Sequence, residues 1–413
     1  MSAFSNRERF MFYRFICILL LLLFTPISLA TNINTNVSQF NKNFSVQVKK
    51  QLQQYSIPGG AYAIVQSNNI VAIESFGHTD KAKSQLINNN TVFRLASVSK
   101  TFAATITTML AQEQQLNLSD PITKYVPNFT LATDGAAQKI QLKHLLSHSS
   151  GLMPNAYDNL LHENWSMDKI INRFDRITPI CQPEKCYGYQ NIAYALLQPA
   201  IEASQNKSYA DLLQERVFKP LNMTHASVGI DVYKKQENTA KPHILRKRIK
   251  TGKKDSQGKD IKKYIWRKVK VEPDFYKVAP AAGVNASISD LAKWLIANLG
   301  YKPEVLSPWL LSELTTPRIR TKKDLRRRYW RDHLTDAHYG YGWRIYQFNG
   351  HPIIYHSGWV AGFRAEIGYS PDLDIGFAIV INAESNVINK ISSQFWLQAS
   401  SVFNKSISSK VKS

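Results

Sequence analysis

The sequence of 413 residues is poor in cysteine and in acidic side chains, and it lacks two common motifs of hydrolases and metalloproteins. It has three cysteines, and no second Cys or His pair stands at a spacing that matches a structural zinc site. No G-x-S-x-G segment occurs, which excludes the nucleophile elbow of an α/β-hydrolase. With 44% hydrophobic and 11% aromatic residues, the composition is that of a globular protein and not of a disordered chain.

The N-terminus has the pattern of a secretory signal peptide. Three arginines precede an unbroken apolar run over residues 15–24, and Ser28 and Ala30 supply a small-x-small cleavage signal. The run is short for a membrane-spanning helix, which needs about 20 apolar residues. We therefore expect residues 1–30 to be removed and the mature protein to be secreted or periplasmic, with an uncleaved membrane anchor as the alternative. Cys17 lies near the start of the run, which argues against a lipid-modified cysteine at the cleavage point.

Cleavage leaves two cysteines, Cys181 and Cys186, with four residues between them. In an exported protein such a pair is expected to form a disulfide. The loop that this bond closes is small, so its stabilisation lies at the low end for disulfides.

Basic charge is concentrated in two stretches. Residues 241–270 hold 13 Lys and Arg against two Asp, and residues 318–331 hold eight against one, so together they carry 18 of the net charge of +22. We expect either solvated loops or docking on an anionic surface of the cell envelope, such as acidic lipid headgroups or a polymer. Trp266, Tyr329 and Trp330 lie among these charges and are candidates to insert at an interface. Nucleic acid is not an expected partner, because the chain has the features of an exported protein.

The order of predicted elements indicates an α+β fold. Strands occur at both ends of the mature chain and helices in the middle, which predicts one domain over residues 31–413 with a helical insertion. Its α/β part covers about 37–118 and 276–405, the inserted helical part about 119–240, and the basic insertion, drawn as a hairpin around Gly258, about 241–270. Residues 31–45 are predicted to form an N-terminal tail. Strands are predicted over 61–65, 70–75, 353–356, 363–369 and 375–381, and helices over 48–55, 140–146, 167–174, 192–203, 209–217, 289–299 (capped by Ser289 and Asp290) and 386–403.

The segment from residue 93 to 109 contains an S-x-x-K tetrad that leads into a helical pattern. Phe102 and Ile106 begin an apolar periodicity that no Pro or Gly interrupts. If Ser97 starts the helix, Lys100 lies one turn on and on the same face. A neutral amine beside a serine hydroxyl can take its proton, and the helix N-terminus adds partial positive charge where an acyl oxyanion forms. Alone, the tetrad is a weak indication of catalysis.

Several segments, in this order, together resemble the serine β-lactamase and penicillin-binding-protein superfamily, most closely its class C β-lactamase, DD-peptidase and esterase branch. They are FRLASVSKTF with the downstream LNLSDPITKYVPNF, then IQLKHLLSHSSGL, YGYQNIAYALL, AAGVNASISDLAKWL and YHSGWVAGFRAEIGYSPDLDIGFAIVIN. The resemblance implies a β-lactamase/transpeptidase-like fold, with an antiparallel sheet flanked by the N- and C-terminal helices and a helical region inserted. It also implies acyl transfer without a cofactor.

The resemblance assigns roles to four residues. Ser97 is the acylated nucleophile and Lys100 its activating partner. Tyr189, in the Tyr-x-Asn motif, acts as a proton shuttle, which requires nearby cations to lower the pKa of its phenol from about 10. Asn191 hydrogen-bonds the substrate amide or orients Lys100.

A second motif, His356-Ser357-Gly358, stands where many members carry Lys-Thr-Gly. The resemblance makes these three residues substrate-binding, and the backbone N–H groups of Ser97 and Trp359 the oxyanion hole. Because His titrates near neutrality, we expect recognition of an acidic substrate group to weaken with rising pH. The same His occurs in DD-peptidase and esterase members, so strong β-lactamase activity is not expected.

Two further patterns are interpreted as structural. His144 and His148 have a spacing that suits a metal on a helix, but they match a turn of the family, so no metal is predicted. Residues 252–259 are similar to a phosphate-binding loop but have five residues between the glycines, and Asp260 where Ser or Thr is needed, so that function is excluded.

The expected function is an exported serine hydrolase that acts on β-lactams, D-Ala peptides or small esters and amides. The alternative is a non-catalytic envelope-binding protein that keeps the fold and uses the basic surface. Intact Ser97, Lys100, Tyr189 and Asn191 favour the enzyme. The specificity loops, including 153–180 and 232–275, leave the substrate open, and the oligomeric state is open as well.

Overall fold

The computed structural model describes residues 25–82 and 85–410. Most of the predicted signal peptide, residues 1–24, lies outside this part of the chain. Within it, no helix combines the length and the apolar character needed to cross a bilayer.

The described residues form three β-sheets, all with antiparallel pairing between their strands. The strands are β1 (Gly59–Gln66), β2 (Asn69–Gly77), β3 (Val92–Arg94), β4 (Ser227–Val228), β5 (His243–Lys254), β6 (Asp260–Lys268), β7 (Val284–Ser287), β8 (Ile319–Arg320), β9 (Leu334–Tyr339), β10 (Arg344–Phe348), β11 (His351–Val360), β12 (Phe363–Ser370) and β13 (Ile375–Ile381). The main sheet has the order β2-β1-β13-β12-β11-β10-β9-β8, so β1 from one end of the chain pairs with β13 from the other. A small sheet has the order β3-β7-β4, and β5 and β6 pair only with each other.

Helices cover both faces of the main sheet and fill the segment between its two halves. They are α1 (Thr25–Gln54), α2 (Ser99–Gln112), α3 (Leu142–Leu146), α4 (Asp158–His162), α5 (Met167–Asn172), α6 (Asn191–Ala195), α7 (Leu197–Gln205), α8 (Tyr209–Leu213), α9 (Ile230–Lys235), α10 (Ala279–Ala282), α11 (Ile288–Ile296), α12 (Pro308–Thr315) and α13 (Val387–Lys410). Short 3₁₀ segments span Ala96–Val98, Ile122–Lys124, Ala137–Lys139, Arg173–Arg176, Asp274–Val278 and Asp324–Arg326, and π turns span Gln214–Phe218 and Ala297–Tyr301. The α+β expectation is confirmed.

The main sheet separates two apolar cores. On one face α1 and α13 pack on the sheet, and the rings of Phe377 and Phe395 stack with centroids 4.2 Å apart. On the other face α2 and α11 contribute Phe102 and Trp294, stacked at 4.4 Å. Because both of its faces are covered, β13 is buried along its whole length, which is why its sequence IGFAIVI shows no polar alternation.

Helix α2 is the buried centre of the molecule, and every residue from Ser99 to Leu110 is buried. A buried hydroxyl needs a hydrogen-bond partner. Thr101, Thr105 and Thr107 meet this need inside the helix, because each donates to the carbonyl oxygen three or four residues earlier at 2.7–2.9 Å. These three hydroxyls thus find their acceptors within the helix itself, which lets polar side chains lie in the core.

The five predicted strands and the paired ends of the chain are confirmed, and two local expectations are wrong. Residues 31–45 are helical and belong to α1, since Phe40 and Phe44 are buried against α13 and the sheet. Helix α11 begins earlier than predicted: Ser287, not Ser289, is its N-cap, and forms a capping box with Asp290. Strands β9 and β10 were not predicted because charged and amide side chains interrupt their apolar pattern.

The basic stretch 241–270 forms the hairpin β5–β6, whose residues 246–259 are exposed. The expectation that its tryptophan inserts at an interface is wrong. Trp266 is buried at the base of the hairpin, where its Nε1 donates to the carbonyl oxygen of Tyr55 at 2.9 Å. Trp330 in the second basic stretch is also buried, and packs on Tyr355 with ring centroids 4.8 Å apart.

Candidate active site

Ser97 lies in the turn between β3 and α2, at the floor of a cleft of about 480 Å³. The preceding residue, Ala96, is buried and has a φ of +50°, a left-handed conformation that is costly for a residue with a Cβ. Such strain is kept where the surrounding structure fixes it, here by the contact of this turn with β11. The turn therefore presents the Ser97 hydroxyl to the cleft from a rigid support.

Lys100 lies one turn after Ser97 and is completely buried. Its Nζ is 2.7 Å from Oδ1 of Asn191, 3.1 Å from the carbonyl oxygen of Ala281 and 3.4 Å from Oγ of Ser97. A neutral amine has two N–H groups and one lone pair. If the amide and the carbonyl accept the two N–H groups, the lone pair is left for the Ser97 proton.

The environment of Lys100 favours the neutral amine. Burial holds the pKa of Lys100 well below its ordinary value, and the nearby charge of Arg344 lowers it further, while Asp158 opposes both. The shift favours the neutral form of the amine, which is the form that a general base requires.

Tyr189 lines the same cleft as Ser97. The centre of its phenol ring is 4.7 Å from Nζ of Lys100. Burial raises the pKa of Tyr189 to about 12, although a hydrogen bond to Ser97 and the charge of Arg344 act in the opposite direction. The expectation that neighbouring cations lower the pKa of this phenol is therefore wrong, because desolvation outweighs them. With a pKa of about 12, the phenol of Tyr189 keeps its proton at neutral pH.

Asn191, at the start of α6, is held in one orientation by a carboxylate. Its Nδ2 donates to Oδ2 of Asp158 at 2.7 Å, so its amide oxygen faces Lys100. This geometry corresponds to the second of the two roles expected for Asn191, the orientation of Lys100. Asp158 was not predicted, since it belongs to the loop 153–180 in which the sequence shows no recognisable pattern.

His356 does not lie in the cleft, and the prediction that it contacts the substrate is wrong. Its ring is fully buried, with Nε2 2.9 Å from the hydroxyl of Tyr339 and Nδ1 3.1 Å from the carbonyl oxygen of Ser357. Burial, followed by the charges of Arg344 and Lys100, holds the pKa of His356 well below its usual value. The expected pH-dependent recognition of an acidic group by this ring is therefore also wrong.

Ser357, Gly358 and Trp359 line the cleft along β11. At Gly358 the strand passes so close to the serine turn that a Cβ would lie 2.0 Å from the carbonyl oxygen of Leu95. Only glycine allows this approach. It brings the backbone at Trp359 to the edge of the cleft that Ser97 lines, as an oxyanion hole built from these two N–H groups requires. The Trp359 ring is 63% exposed at this edge.

Arg344 is a second residue of the cleft that was not predicted. It begins β10, lies 5.6 Å from the centre of the Tyr189 ring, and forms an ion pair with Asp324. Its Nε is buried and has no hydrogen-bond partner among the described residues. The sequence signal for Arg344 is a charged residue among the apolar side chains of the segment WRIYQF, because an arginine is rarely placed among apolar side chains without a partner.

Cys181 and Cys186 form a disulfide, as predicted. The loop between them packs on the turn at Gly151, since the amide of Ile180 donates to the Gly151 carbonyl and the amide of Glu184 to the Ser149 carbonyl. This loop leads directly into Tyr189.

The two histidines of the HLLSHSSGL segment have structural contacts. Nδ1 of His144 accepts from the amide of Gln141, and the buried ring of His148 packs against Tyr189 with centroids 4.2 Å apart. In the described part of the chain, no group of three or more His, Cys, Asp or Glu side chains is arranged to hold a metal ion.

Three comparisons with known proteins agree with this architecture. Residues 40–395 match the family model described as Beta-lactamase. The chain is 25% identical over 373 residues to the protein flp of Staphylococcus aureus (strain MRSA252), covering 86% of this chain and 65% of that protein. It is 24% identical over 360 residues to the unguisins hydrolase ungD of Aspergillus violaceofuscus, covering 83% of this chain and 61% of that protein. The chain thus spans less than two thirds of the length of these relatives.

The same fold occurs in a solved structure, the octameric penicillin-binding protein homologue from Pyrococcus abyssi. The two superpose with a TM-score of 0.70 at 22% sequence identity, covering 86% of this chain and 77% of the other. The fold is therefore β-lactamase/transpeptidase-like, and the family model covers most of the sequence. The chain belongs to the β-lactamase family.

Proposed function

We propose that the protein is a serine hydrolase that forms an acyl-enzyme on Ser97. The observation that carries this proposal is the position of the Lys100 amine, buried and fixed by Asn191 and Ala281 within 3.4 Å of the Ser97 hydroxyl. Burial favours the neutral form of this amine, and a neutral amine next to a serine hydroxyl can accept its proton.

In the proposed acylation, Oγ of Ser97 attacks the substrate carbonyl and its proton passes to Nζ of Lys100. The oxyanion receives hydrogen bonds from the backbone N–H groups of Ser97 and Trp359. Tyr189 gives its proton to the leaving group as the bond to the carbonyl carbon breaks, and Lys100 returns a proton to the phenolate. The products are the acylated serine and the protonated leaving group, so protons balance.

In the proposed deacylation, a water molecule attacks the acyl-enzyme carbonyl. Its proton passes to Lys100, and Tyr189 gives its proton to Oγ of Ser97 as the acyl group leaves as a carboxylic acid. Lys100 then returns a proton to the phenolate, which restores the starting state. His356 has no step in this scheme, because its two ring nitrogens contact the Tyr339 hydroxyl and the Ser357 carbonyl oxygen.

The proposed substrates are β-lactams, D-Ala peptides and small esters or amides, which share a carbonyl open to attack by serine. Two similarities support this range: one relative is named a hydrolase, and one structural neighbour a penicillin-binding protein homologue. The exposed Trp359 ring at the cleft edge suits an apolar acyl group.

The test is covalent labelling of Ser97. A fluorophosphonate probe and benzylpenicillin are expected to add mass to the peptide that contains Ser97 in the natural protein and not in Ser97→Ala. A panel of nitrocefin, a D-Ala-D-Ala peptide and p-nitrophenyl acetate then ranks the substrate classes. Full hydrolysis of the active substrates by Ser97→Ala refutes the proposal, and absence of labelling by every probe supports the non-catalytic binding protein.

We also propose that the protein is exported. Two observations support export. Residues 1–30 have the order of a signal peptide, with basic residues, then an apolar run, then small residues. Cys181 and Cys186 form a disulfide, which is typical of exported proteins. N-terminal sequencing of the protein recovered from a cell-envelope or culture fraction is expected to begin after Ala30. A protein recovered from the cytosol with Met1 intact would exclude export.

A further inference from the structure

A second cavity, of about 1080 Å³, opens beside the catalytic cleft. The two share Asn155, Tyr189, Arg344 and Ser357, so a substrate held at Ser97 can extend from one into the other. We will call the second cavity the basic pocket, because its walls carry seven basic side chains and one carboxylate: Lys185, Arg320, Lys322, Lys323, Arg326, Arg327, Arg344 and Asp324.

Most of this positive charge has no partner within the described residues. Asp324 is the ion-pair partner of Arg344, and Arg320 is paired with Asp336 at 3.1 Å. In the part of the chain that the structure describes, Lys185, Lys322, Lys323 and Arg326 form no ion pair, and all four are exposed. A concave surface lined with charge of one sign attracts ions of the opposite sign more strongly than isolated surface charges do.

Residues 321–327, which carry Lys322, Lys323 and Arg326, are held in place by hydrogen bonds to the main sheet. Arg327 is directed inward, where its guanidinium donates to the hydroxyls of Tyr346 and Tyr355 at 3.1 Å. On the N-terminal side, the amide of Thr321 donates to the carbonyl of Ala337 at 2.8 Å. Lys322, Lys323 and Arg326 therefore project from an anchored turn, which reduces the entropy lost when they bind an anion.

The position of Tyr189 decides which part of the substrate meets the basic pocket. In the proposed mechanism this phenol protonates the leaving group, and it lines both the cleft and the basic pocket. The leaving group therefore departs toward Lys322, Lys323 and Arg326, while the acyl group stays with Ser97 and Trp359.

On the basis of the proposed function, we infer that the basic pocket is a subsite for a polyanionic leaving group, one that carries two or more negative charges from phosphate or carboxylate groups. Guanidinium and ammonium groups bind both kinds of oxyanion through charge-assisted hydrogen bonds. The natural substrate is then an acyl ester or amide of an anionic molecule, rather than a neutral ester.

The test compares acetate esters that differ in leaving-group charge. Phenyl acetate is neutral, 4-acetoxyphenyl phosphate carries a phosphate, and 5-acetoxyisophthalate carries two carboxylates. We measure the ratio of kcat/KM for each anionic ester to that for phenyl acetate, so that effects on turnover common to all three cancel. The two anionic esters show whether phosphate or carboxylate is preferred.

The variant Lys322→Gln/Lys323→Gln/Arg326→Gln is expected to lower this ratio by about tenfold at low ionic strength, and by less in high salt. Lys185→Gln, from the facing wall, is expected to lower it about threefold. The matched control is Lys247→Gln/Arg248→Gln/Lys262→Gln on the exposed hairpin β5–β6, which removes the same charge elsewhere and leaves the ratio unchanged.

Two results would overturn the inference. One is an equal loss in the hairpin control, which would make the effect one of net charge. The other is an equal loss for phenyl phosphonoacetate, an ester whose charge is on the acyl side. A separate titration with tripolyphosphate by calorimetry needs no turnover: the pocket variant is expected to lose about tenfold in affinity and the hairpin variant less than twofold. If no acylating probe labels Ser97, the proposed function fails, and this titration still decides the basic pocket.

Discussion

The side-chain amide oxygen of Asn191 lies 2.7 Å from Nζ of Lys100, although the two residues are 91 positions apart in the chain. The other end of the amide is held by Asp158 at 2.7 Å, so Asn191 cannot turn its N–H groups toward the amine without losing that bond. A neutral oxygen at this position stabilises an amine without adding the negative charge that would keep the amine protonated.

The first prediction concerns the pH dependence of this arrangement. Only neutral Lys100 can accept the Ser97 proton, so kcat/KM is expected to fall as pH falls through the pKa of Lys100, which burial holds well below its ordinary value. We call this fall in kcat/KM the acidic limb of the pH profile. Asn191→Asp places a carboxylate against the amine and raises the pKa of Lys100, so it is expected to move the acidic limb to higher pH by about one to three units. The measurement is kcat/KM against pH with phenyl acetate, a neutral ester.

The matched variant for this prediction is Asp158→Asn. The charge of Asp158 raises the pKa of Lys100, so its removal is expected to move the acidic limb down, opposite to Asn191→Asp. Equal shifts in the same direction would contradict the assignment of this limb to Lys100.

The second prediction concerns Tyr189 as the proton donor. Tyr189→Phe keeps the ring that packs on His148 but removes the hydroxyl, and is expected to lower kcat by about 100-fold or more. The loss is expected to be smaller for a nitrophenyl ester, whose leaving group needs no proton, than for an alkyl ester or amide. Kinetics with the two ester types measure this difference.

Tyr209→Phe is the control for the second prediction. Tyr209 is a buried tyrosine on α8 whose hydroxyl has no hydrogen-bond partner among the described residues. Its removal tests the effect of losing a buried hydroxyl outside the site, and kcat is expected to stay unchanged. If Tyr189→Phe lowers kcat/KM, which reports on acylation and not on deacylation, equally for both ester types, Tyr189 does not protonate the leaving group.

Sequence patterns predicted the parts of the fold that depend on local periodicity and on burial of both sheet faces. Strand β13 could be predicted because seven consecutive buried residues make an apolar run, and the start of α2 because the S-x-x-K tetrad leads into an uninterrupted helix. Strands β9 and β10 were missed, since Arg344 and Asp336 have their partners elsewhere in the fold. A strand in which charged side chains interrupt the apolar pattern shows no simple alternation.

The same limit applies to the candidate site. Ser97, Lys100 and Asn191 carry motif spacing, and the structure brings them together. The pKa of a group depends on its burial, which the spacing of residues in a motif does not show. The expectation that nearby cations lower the pKa of Tyr189 was wrong for this reason. His356 was assigned to the substrate from its place in a motif, but its ring is fully buried against Tyr339 and does not line the cleft, and motif spacing shows neither.

The third prediction concerns the close passage of β11 beside the serine turn. In Gly358→Ala the new Cβ would lie 2.0 Å from the Leu95 carbonyl oxygen, so the strand must move and take the Trp359 N–H with it. Loss of one oxyanion donor is expected to lower kcat by about 100-fold. Overpacking is expected to lower the free energy of unfolding by about 1–3 kcal/mol. Kinetics and urea unfolding measure the two effects separately.

Gly350→Ala is the control for the third prediction. Gly350 has a φ of +85° in the β10–β11 turn, and a Cβ added there would have no neighbouring atom within 4 Å, so the substitution adds backbone strain away from the cleft. It is expected to cost about 1–2 kcal/mol of stability, because a residue with a Cβ disfavours the left-handed conformation, and to leave kcat unchanged. An unchanged kcat in Gly358→Ala, with the protein folded, would exclude the oxyanion role of this strand.

The fourth prediction concerns the disulfide between Cys181 and Cys186. The bond closes a small loop that packs on the turn at Gly151 and leads to Tyr189, so its loss is expected to lower the free energy of unfolding by about 2 kcal/mol, the low end for disulfides. Urea unfolding of the natural protein with and without dithiothreitol measures this change. Cys181→Ser/Cys186→Ser is expected to match the reduced protein and to show no response to the reductant. Alkylation of both thiols under denaturing, non-reducing conditions would show that the mature protein lacks the bond. Any effect of dithiothreitol on the free energy of unfolding could then not be assigned to this disulfide.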